Sequence, residues 1–145
     1  FRRPSNIIKF RTFLKVVWNV LTKYGKKILE IVTSSYDHMT AEQIFLRLRE
    51  AYPSVVLATV YNNLNRLCDQ HQIRKISVEG QPDRYDRVQR HDHLVCQVCG
   101  KLADLDLGDL TAQLEQRAGM PILDYDLKLL YVCPECKKKH RQKGL

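Results

Sequence analysis

The sequence predicts an α+β protein of two domains, a helical N-terminal domain followed by a smaller domain of strands and one helix. Apolar residues recur at helical spacing in the first half, and four of the five cysteines form two C-x-x-C pairs in the second. Positive charge is concentrated early: residues 1–84 carry 14 Lys and Arg against 7 Asp and Glu, and residues 85–145 carry 10 against 9. We place the domains at residues 1–85 and 86–145.

Helical periodicity dominates the N-terminal domain. The stretch FLKVVWNVLTKYGKKILEIVTSS is interrupted at Gly25, which predicts two helices. MTAEQIFLRLREAY predicts another helix, which Thr40 caps and Pro53 ends. LATVYNNLNRLCDQHQ returns to helical spacing, and its apolar positions are Val60, Leu64 and Leu67.

A predicted hairpin completes this domain, with IRKISV and RYDRV as strands and EGQPD as the turn. Helices followed by a hairpin on a basic segment are the element order of a winged helix. In that fold, the second helix of the turn pair enters the major groove of double-stranded DNA. The candidate DNA contacts on it are Thr59, Tyr61, Asn62, Asn63 and Arg66. The alternative interpretation is an ordinary solvated helix without a polyanion partner.

The two C-x-x-C pairs predict a structural Zn²⁺ site formed by four thiolates: Cys96, Cys99, Cys133 and Cys136. Disulfides or a redox dithiol are the alternatives. No secretory signal or long apolar run is visible, so we expect a cytoplasmic protein without a membrane partner, in which paired cysteines favour zinc. Cys68 is expected to be a core thiol on a helix face.

The C-terminal domain is predicted to mix strands with one helix. KLADLDL indicates a strand, GDLTAQLEQRAG a helix that ends at Gly119, and PILDYDLKLLYVC a long strand leading to the second cysteine pair.

Three segments together resemble one known family. HMTAEQIFLRLREAYPSVVLATVYNNLNRL, RYDRVQRHDHLVCQVCGKLADLD and YVCPEC are similar, in order and spacing, to the ferric uptake regulator (Fur) family. The resemblance covers roughly residues 28–136. It implies a metal-dependent transcriptional repressor that binds a DNA operator as a homodimer, with an N-terminal winged helix and a C-terminal α/β dimerisation domain.

A second metal site is predicted in RHDHLVCQVCG. Residues i and i+2 of a strand face the same way, so His91 and His93 can address one ion. The resemblance supplies His38, Asp86 and Asp104 as further ligands. Three imidazoles and two carboxylates suit regulatory Fe²⁺ or Mn²⁺. Because the resemblance assigns His38 and Asp104 to different domains, one ion could tie the domains together and favour the DNA-binding state.

The identity of the signal is predicted less directly. Aspartates at both 86 and 104 resemble the peroxide-sensing (PerR) branch of the family. Arg90, Thr111 and Tyr125 stand where iron-sensing members carry a further set of ligands. Peroxide sensing is therefore our first hypothesis and iron sensing the second.

Other function classes remain as alternatives. A zinc hydrolase or deaminase would need an acidic general base, as in H-x-E, and this sequence contains no H-x-E. We therefore expect neither enzyme activity nor a small-molecule substrate. A redox switch of the zinc thiolates stays open as an alternative to the histidine and aspartate site.

Overall fold

The computed structural model describes residues 20–142, which form two compact units that divide between Val88 and Gln89. The N-terminal unit contains helices α1 (Lys23–Ser34), α2 (Ala41–Ala51) and α3 (Leu57–Asp69) and strands β1 (Met39–Thr40), β2 (Ile73–Ile76) and β3 (Arg84–Arg87). The C-terminal unit contains strands β4 (Asp92–Cys96), β5 (Leu102–Leu105) and β6 (Lys128–Tyr131) and helices α4 (Thr111–Ala118) and α5 (Pro134–Gln142). The α+β class is as predicted.

Residue 20 is helical, residues 21 and 22 interrupt the helical stretch, and α1 then runs through Gly25, so the predicted break exists but its predicted position at this glycine was wrong. The helix starts because the Thr22 hydroxyl accepts a 3.0 Å hydrogen bond from the Gly25 backbone N–H. A Cβ atom at Gly25 would lie 3.1 Å from Oδ1 of Asn63 on α3. The glycine therefore permits close approach of the two helices. The helix predicted from residue 13 falls mostly outside the described residues.

Helix α2 has the predicted start and end. Thr40 and Gln43 form a reciprocal capping box, and the helix stops at Ala51, before Pro53. Helix α3, in contrast, has no side-chain hydrogen bond at its N-cap, which is the apolar residue Val56. Its stability must therefore come largely from its apolar face.

The core of the N-terminal unit lies where the three helices meet the sheet. The predicted apolar positions of α3 are fully buried, and Cys68 packs against the same core as expected. The largest fully buried aliphatic side chains of the N-terminal unit are Ile28, Val32, Ile44, Leu48, Val60, Leu64, Leu67 and Ile73. Burial of this many aliphatic side chains is the main stabilising contribution to the unit.

The predicted hairpin forms, with β2 and β3 antiparallel. Strand β1, which was not predicted, pairs with the other side of β3 and aligns Met39 with Tyr85. A strand of two residues has too little alternation to be recognised from sequence. It matters because it brings the residue before it, His38, to the sheet.

In the C-terminal unit, β4 is the central strand. It is antiparallel to β5 and parallel to β6. Helix α4 ends at Gly119, as predicted, where φ is 70°, a left-handed conformation that glycine adopts without a steric cost.

The long strand predicted over residues 121–133 was wrong in extent, because β6 covers only its final part. Two of the preceding residues bond to the α4 region instead. The Ile122 backbone N–H donates to Glu115 Oε1 at 2.9 Å, and the Tyr125 hydroxyl accepts from the Leu110 N–H at 2.7 Å.

Large apolar side chains remain on the surface of the C-terminal unit. Leu130 on β6 is 62% exposed and Leu123 is 86% exposed. Every residue of α4 is at least partly exposed. Among residues 20–142, no helix is both long and apolar enough to cross a lipid bilayer.

Candidate metal centre

The four paired cysteines meet at one end of the C-terminal sheet. Cys96 ends β4, Cys99 lies in the turn that follows, and Cys133 and Cys136 flank the start of α5. One ligand atom from each cysteine lies within 4.8 Å of those of the others, and all five thiols of the chain are free. The turn closes because the Gly100 N–H donates to the Cys96 carbonyl at 2.8 Å.

The spacing of these thiols fits a tetrahedral zinc ion. Sulfur ligands at about 2.3 Å from zinc lie roughly 3.8 Å from one another, whereas disulfide sulfurs are about 2.05 Å apart. The Sγ atoms of Cys99 and Cys133 are 3.9 Å apart. The cluster therefore has the dimensions of a four-thiolate zinc site.

The electrostatics of the cluster also favour a bound cation. The backbone N–H of Cys133 donates to Cys96 Sγ at 3.3 Å. This hydrogen bond, and to a smaller extent one from the backbone N–H of Cys99, lowers the pKa of the Cys96 thiol to about 6. The pKa of Cys136 is raised to about 12, first by its hydrogen bond with the Cys133 thiol and then by burial. Four crowded thiols cannot all ionise together unless a cation offsets their charge.

A second group, which we call the C-terminal ligand set, consists of His91, His93 and Asp104. His93 is fully buried on β4 and is paired in register with Asp104 on β5. The ring centroids of the two histidines are 4.7 Å apart, and their Nε2 atoms lie 3.4 Å (His91) and 4.0 Å (His93) from Asp104 Oδ1. His91 immediately precedes the strand, so both imidazoles reach the same carboxylate.

The tautomer of His91 suits metal ligation. Its Nδ1 lies 2.6 Å from the carbonyl oxygen of Gln89, and a carbonyl can only accept. Nδ1 therefore carries the hydrogen, and in the neutral imidazole the lone pair is on Nε2, the atom facing Asp104. A backbone partner of this kind orients metal-binding histidines in many proteins.

A third group, the N-terminal ligand set, consists of His38 and Asp86. Both side chains are buried, and His38 Nε2 lies 3.6 Å from Asp86 Oδ2. His38 has φ 47°, a left-handed conformation that is uncommon for residues other than glycine. It directly precedes β1, whose pairing with β3 brings it close to Asp86. The donor atoms, imidazole nitrogen and carboxylate oxygen, suit iron(II) or manganese(II).

The chain matches a known family model over residues 20–130, described as the ferric uptake regulator family. The chain belongs to the ferric uptake regulator family. Among curated relatives, the peroxide-responsive repressor PerR of Staphylococcus epidermidis is 30% identical over 125 residues, which covers 82% of each chain. The PerR protein of Staphylococcus aureus is 27% identical over 123 residues, covering 82% of this chain and 83% of that protein.

Solved structures give the same assignment. The Campylobacter jejuni peroxide stress regulator superposes with a TM-score of 0.72 at 28% identity, covering 87% of this chain and 98% of that one. The Helicobacter pylori ferric uptake regulator, at 22% identity, also reaches 0.72, covers 89% of each chain and supports the fold. The Fur family consists of transcriptional regulators, and the two curated relatives named above are PerR proteins.

The candidate DNA contacts of this Fur-family chain differ in their surroundings. Tyr61, Asn62 and Arg66 are exposed on α3, and Thr59 is half-buried. Asn63 instead faces α1, where its Oδ1 accepts from the Thr22 hydroxyl at 3.0 Å and its Nδ2 donates to the Thr59 carbonyl at 2.8 Å. The structure thus places Asn63 in a contact between helices.

Two contacts near these groups were not anticipated from the sequence. Glu42 on α2 accepts a hydrogen bond from the Tyr61 hydroxyl, and Arg74 on β2 lies beside Asp86. The second contact follows from the observed register of β2 on β3, which pairs Arg74 with Asp86 and which the predicted hairpin did not specify. The first contact depends on how α2 packs on α3, which local sequence does not encode.

Proposed function

We propose that this protein is a metal-dependent transcriptional repressor that binds a DNA operator as a homodimer and responds to peroxide. A structural zinc occupies the four cysteines, and one regulatory iron(II) or manganese(II) ion is ligated by His38, Asp86, His91, His93 and Asp104. The observation that carries the proposal is the separation of donor types, with four thiolates in one cluster and imidazoles with carboxylates in the two ligand sets.

The two ligand sets belong to different compact units. An ion that takes ligands from both sets stabilises one arrangement of the units relative to all others. Its binding free energy then shifts the population toward that arrangement, which we propose is the form that binds DNA. Loss of a single ligand is enough to remove this shift in population, so DNA binding responds to chemical damage at one ligand side chain.

Peroxide is the proposed signal because the curated relatives are named peroxide-responsive repressors and the carboxylates at 86 and 104 are both aspartates. A bound iron(II) supplies the reactivity toward peroxide. The chain supplies oxidisable imidazoles among the proposed ligands, and we propose that His38 or His91 gains one oxygen atom from the peroxide and can no longer act as a ligand.

The C-terminal unit offers support for a homodimer. Strand β6 lies at the edge of its sheet, and Leu129 and Leu130 are exposed on it. An unpaired edge with apolar side chains favours pairing with another chain. We propose that a second copy covers this surface and so brings two α3 helices to two operator half-sites.

The exposed side of α3 is the proposed reading surface. Tyr61, Asn62 and Arg66 offer an aromatic ring, an amide and a guanidinium, which can contact thymine methyl groups, adenine edges and phosphates or guanine. Thr59 lies at the start of the same helix. Asn63 contributes indirectly by holding α3 against Thr22 of the α1 cap.

The test compares the metals under anaerobic conditions. Zinc-loaded protein receives iron(II) or manganese(II), and binding is measured to duplexes enriched from a random-sequence pool, before and after a small excess of peroxide. We expect both metals to support binding and peroxide to release only the iron form, with a gain of one oxygen atom at His38 or His91 in peptide mass analysis. If peroxide released the iron-loaded protein from DNA without oxidation of His38 or His91, that result would be inconsistent with a histidine-based sensor.

Two other outcomes assign other functions. If the iron form stays on DNA in peroxide and binding depends only on iron concentration, the protein senses iron. If the cysteines are oxidised and zinc is lost, the zinc thiolates are the switch. Failure of both metals to support binding would reject a metal-dependent repressor altogether.

A further inference from the structure

We propose that Arg74 is a positioning residue that lowers the affinity of the regulatory metal site, because its guanidinium forms an ion pair with the carboxylate oxygen that the metal needs. This inference rests on the proposed function, in which Asp86 is a ligand. The contacts from which it is argued all lie within the N-terminal unit.

Arg74 and Asp86 are cross-strand partners in the β2–β3 ladder. Directly opposed residues place their side chains on the same face of the sheet. Arg74 Nη2 lies 3.8 Å from Asp86 Oδ2, and His38 Nε2 lies 3.6 Å from the same oxygen. The guanidinium and the candidate metal-binding imidazole therefore approach one carboxylate oxygen.

The other oxygen of Asp86 is engaged by the backbone. Oδ1 accepts a 2.8 Å hydrogen bond from the Arg87 N–H, which fixes the orientation of the carboxylate. Oδ2 is consequently the oxygen turned toward His38, and it is the one that would complete the N-terminal ligand set. Asp86 is 1% exposed, so water cannot freely replace either neighbour.

The charge of Arg74 has the same consequence in both states of the site. Arginine stays protonated at all physiological pH values. Without a metal, its guanidinium stabilises the buried carboxylate. With a divalent cation on Oδ2, the same guanidinium becomes a neighbouring like charge in a region of low dielectric constant. Both effects reduce the free energy gained on metal binding, so Arg74 lowers the affinity.

Removal of this positive charge is therefore expected to tighten metal binding. We expect Arg74→Gln to bind manganese(II) at least about tenfold more tightly than the parent, given the strength of charge interactions at partly buried sites. Arg74→Lys keeps the charge and should stay within about threefold of the parent. A residue that merely supported the fold would show the opposite sign, with weaker binding on substitution.

The experiment measures manganese(II) affinity of the zinc-loaded, full-length protein by competition with a fluorescent chelator. Arg74→Met, which preserves the packing of the methylene groups, is measured beside Arg74→Gln so that the result does not depend on one variant. Arg47→Gln is the matched control, because Arg47 also pairs with an aspartate, Asp37, at 3.0 Å, but on the exposed surface. It should leave the affinity unchanged.

Unchanged or weaker manganese binding in the folded neutral variants overturns the role of Arg74. Asp86→Asn distinguishes this failure from that of the proposed function. If Asp86→Asn weakens binding while Arg74→Gln does not tighten it, the ligand assignment stands and only the present inference is rejected. If Asp86→Asn has the parent affinity, Asp86 is not a ligand and the proposed regulatory site itself fails.

Discussion

The hydroxyl of Tyr61 on α3 donates a 2.9 Å hydrogen bond to Oε1 of Glu42 on α2. This hydrogen bond raises the pKa of the Tyr61 phenol. The pKa of the Glu42 carboxyl is lowered, first by a hydrogen bond from its own backbone N–H and then by the bond from Tyr61. An exposed aromatic ring is thereby held in one orientation before any partner binds. Preorganisation of this kind reduces the entropic cost of recognition.

The proposed roles of Tyr61 and Arg66 can be separated by their effects on DNA binding. Tyr61→Ala is expected to reduce the ratio of specific to nonspecific affinity. Arg66→Ala should weaken binding to all duplexes similarly and reduce the salt slope by about 1, as loss of a phosphate contact does. Binding titrations over a range of salt concentrations measure both quantities.

Tyr61→Phe is the control, because it retains the ring and removes only the bond to Glu42. We expect it to lose less discrimination than Tyr61→Ala. If Tyr61→Ala weakens specific and random duplexes by the same factor, this residue does not read bases.

Removal of one zinc ligand should destabilise the protein. Cys96→Ser or Cys136→Ser is expected to lose zinc and on the order of 3 kcal/mol or more of stability, with a fall in the thermal midpoint of about 10 °C or more. Elemental analysis and thermal unfolding provide the measurements. Cys68→Ser, which alters a thiol outside the cluster, should retain the zinc. Zinc-free protein with an unchanged midpoint would be incompatible with a structural role for the metal.

Gly25 is expected to resist replacement by alanine despite its position in a helix. Helix propensity alone favours alanine by up to about 1 kcal/mol. The new methyl group would press on Asn63, whose side chain is held by two hydrogen bonds, so we expect Gly25→Ala to be neutral or destabilising by about 1 kcal/mol. Denaturant unfolding measures the change.

A double-mutant cycle supplies the control for this packing argument. In an Asn63→Ala background, Gly25→Ala should recover the benefit of helix propensity. A gain of about 1 kcal/mol from Gly25→Ala in the parent protein would contradict the inferred close approach.

The exposed edge strand predicts where the proposed homodimer can be disrupted. Leu130→Asp should convert a dimer into a monomer, because it places a charge on a surface that would be buried against a second copy. Sedimentation analysis at several concentrations gives the dissociation constant. Leu46 on α2 is exposed to a similar extent, 60% against 62% for Leu130, so Leu46→Asp is the matched control and should leave the dimer intact. Equal behaviour of the two variants would place the interface elsewhere.

Much of the N-terminal unit was predictable because its signals are local. The capping box at Thr40, the stop before Pro53 and the apolar repeat of α3 each involve residues within a few turns of one another. Gly25 misled the prediction for the opposite reason. Its lack of a side chain serves contact with Asn63, far away in the chain, rather than a break in α1.

For the candidate metal sites, too, some features were predictable from local sequence and others depended on the tertiary structure. The sequence by itself determined the donor atoms, since two C-x-x-C pairs and an H-x-H motif place sulfur and imidazole ligands at short, fixed spacings. The tertiary structure decided which carboxylates and cations stand beside them. Arg74 meets Asp86 through the register of β2 on β3, and His93 meets Asp104 through the register of β4 on β5. Register depends on the packing of whole strands, because a shift of one residue turns every side chain to the other face, and no short stretch of sequence contains that information.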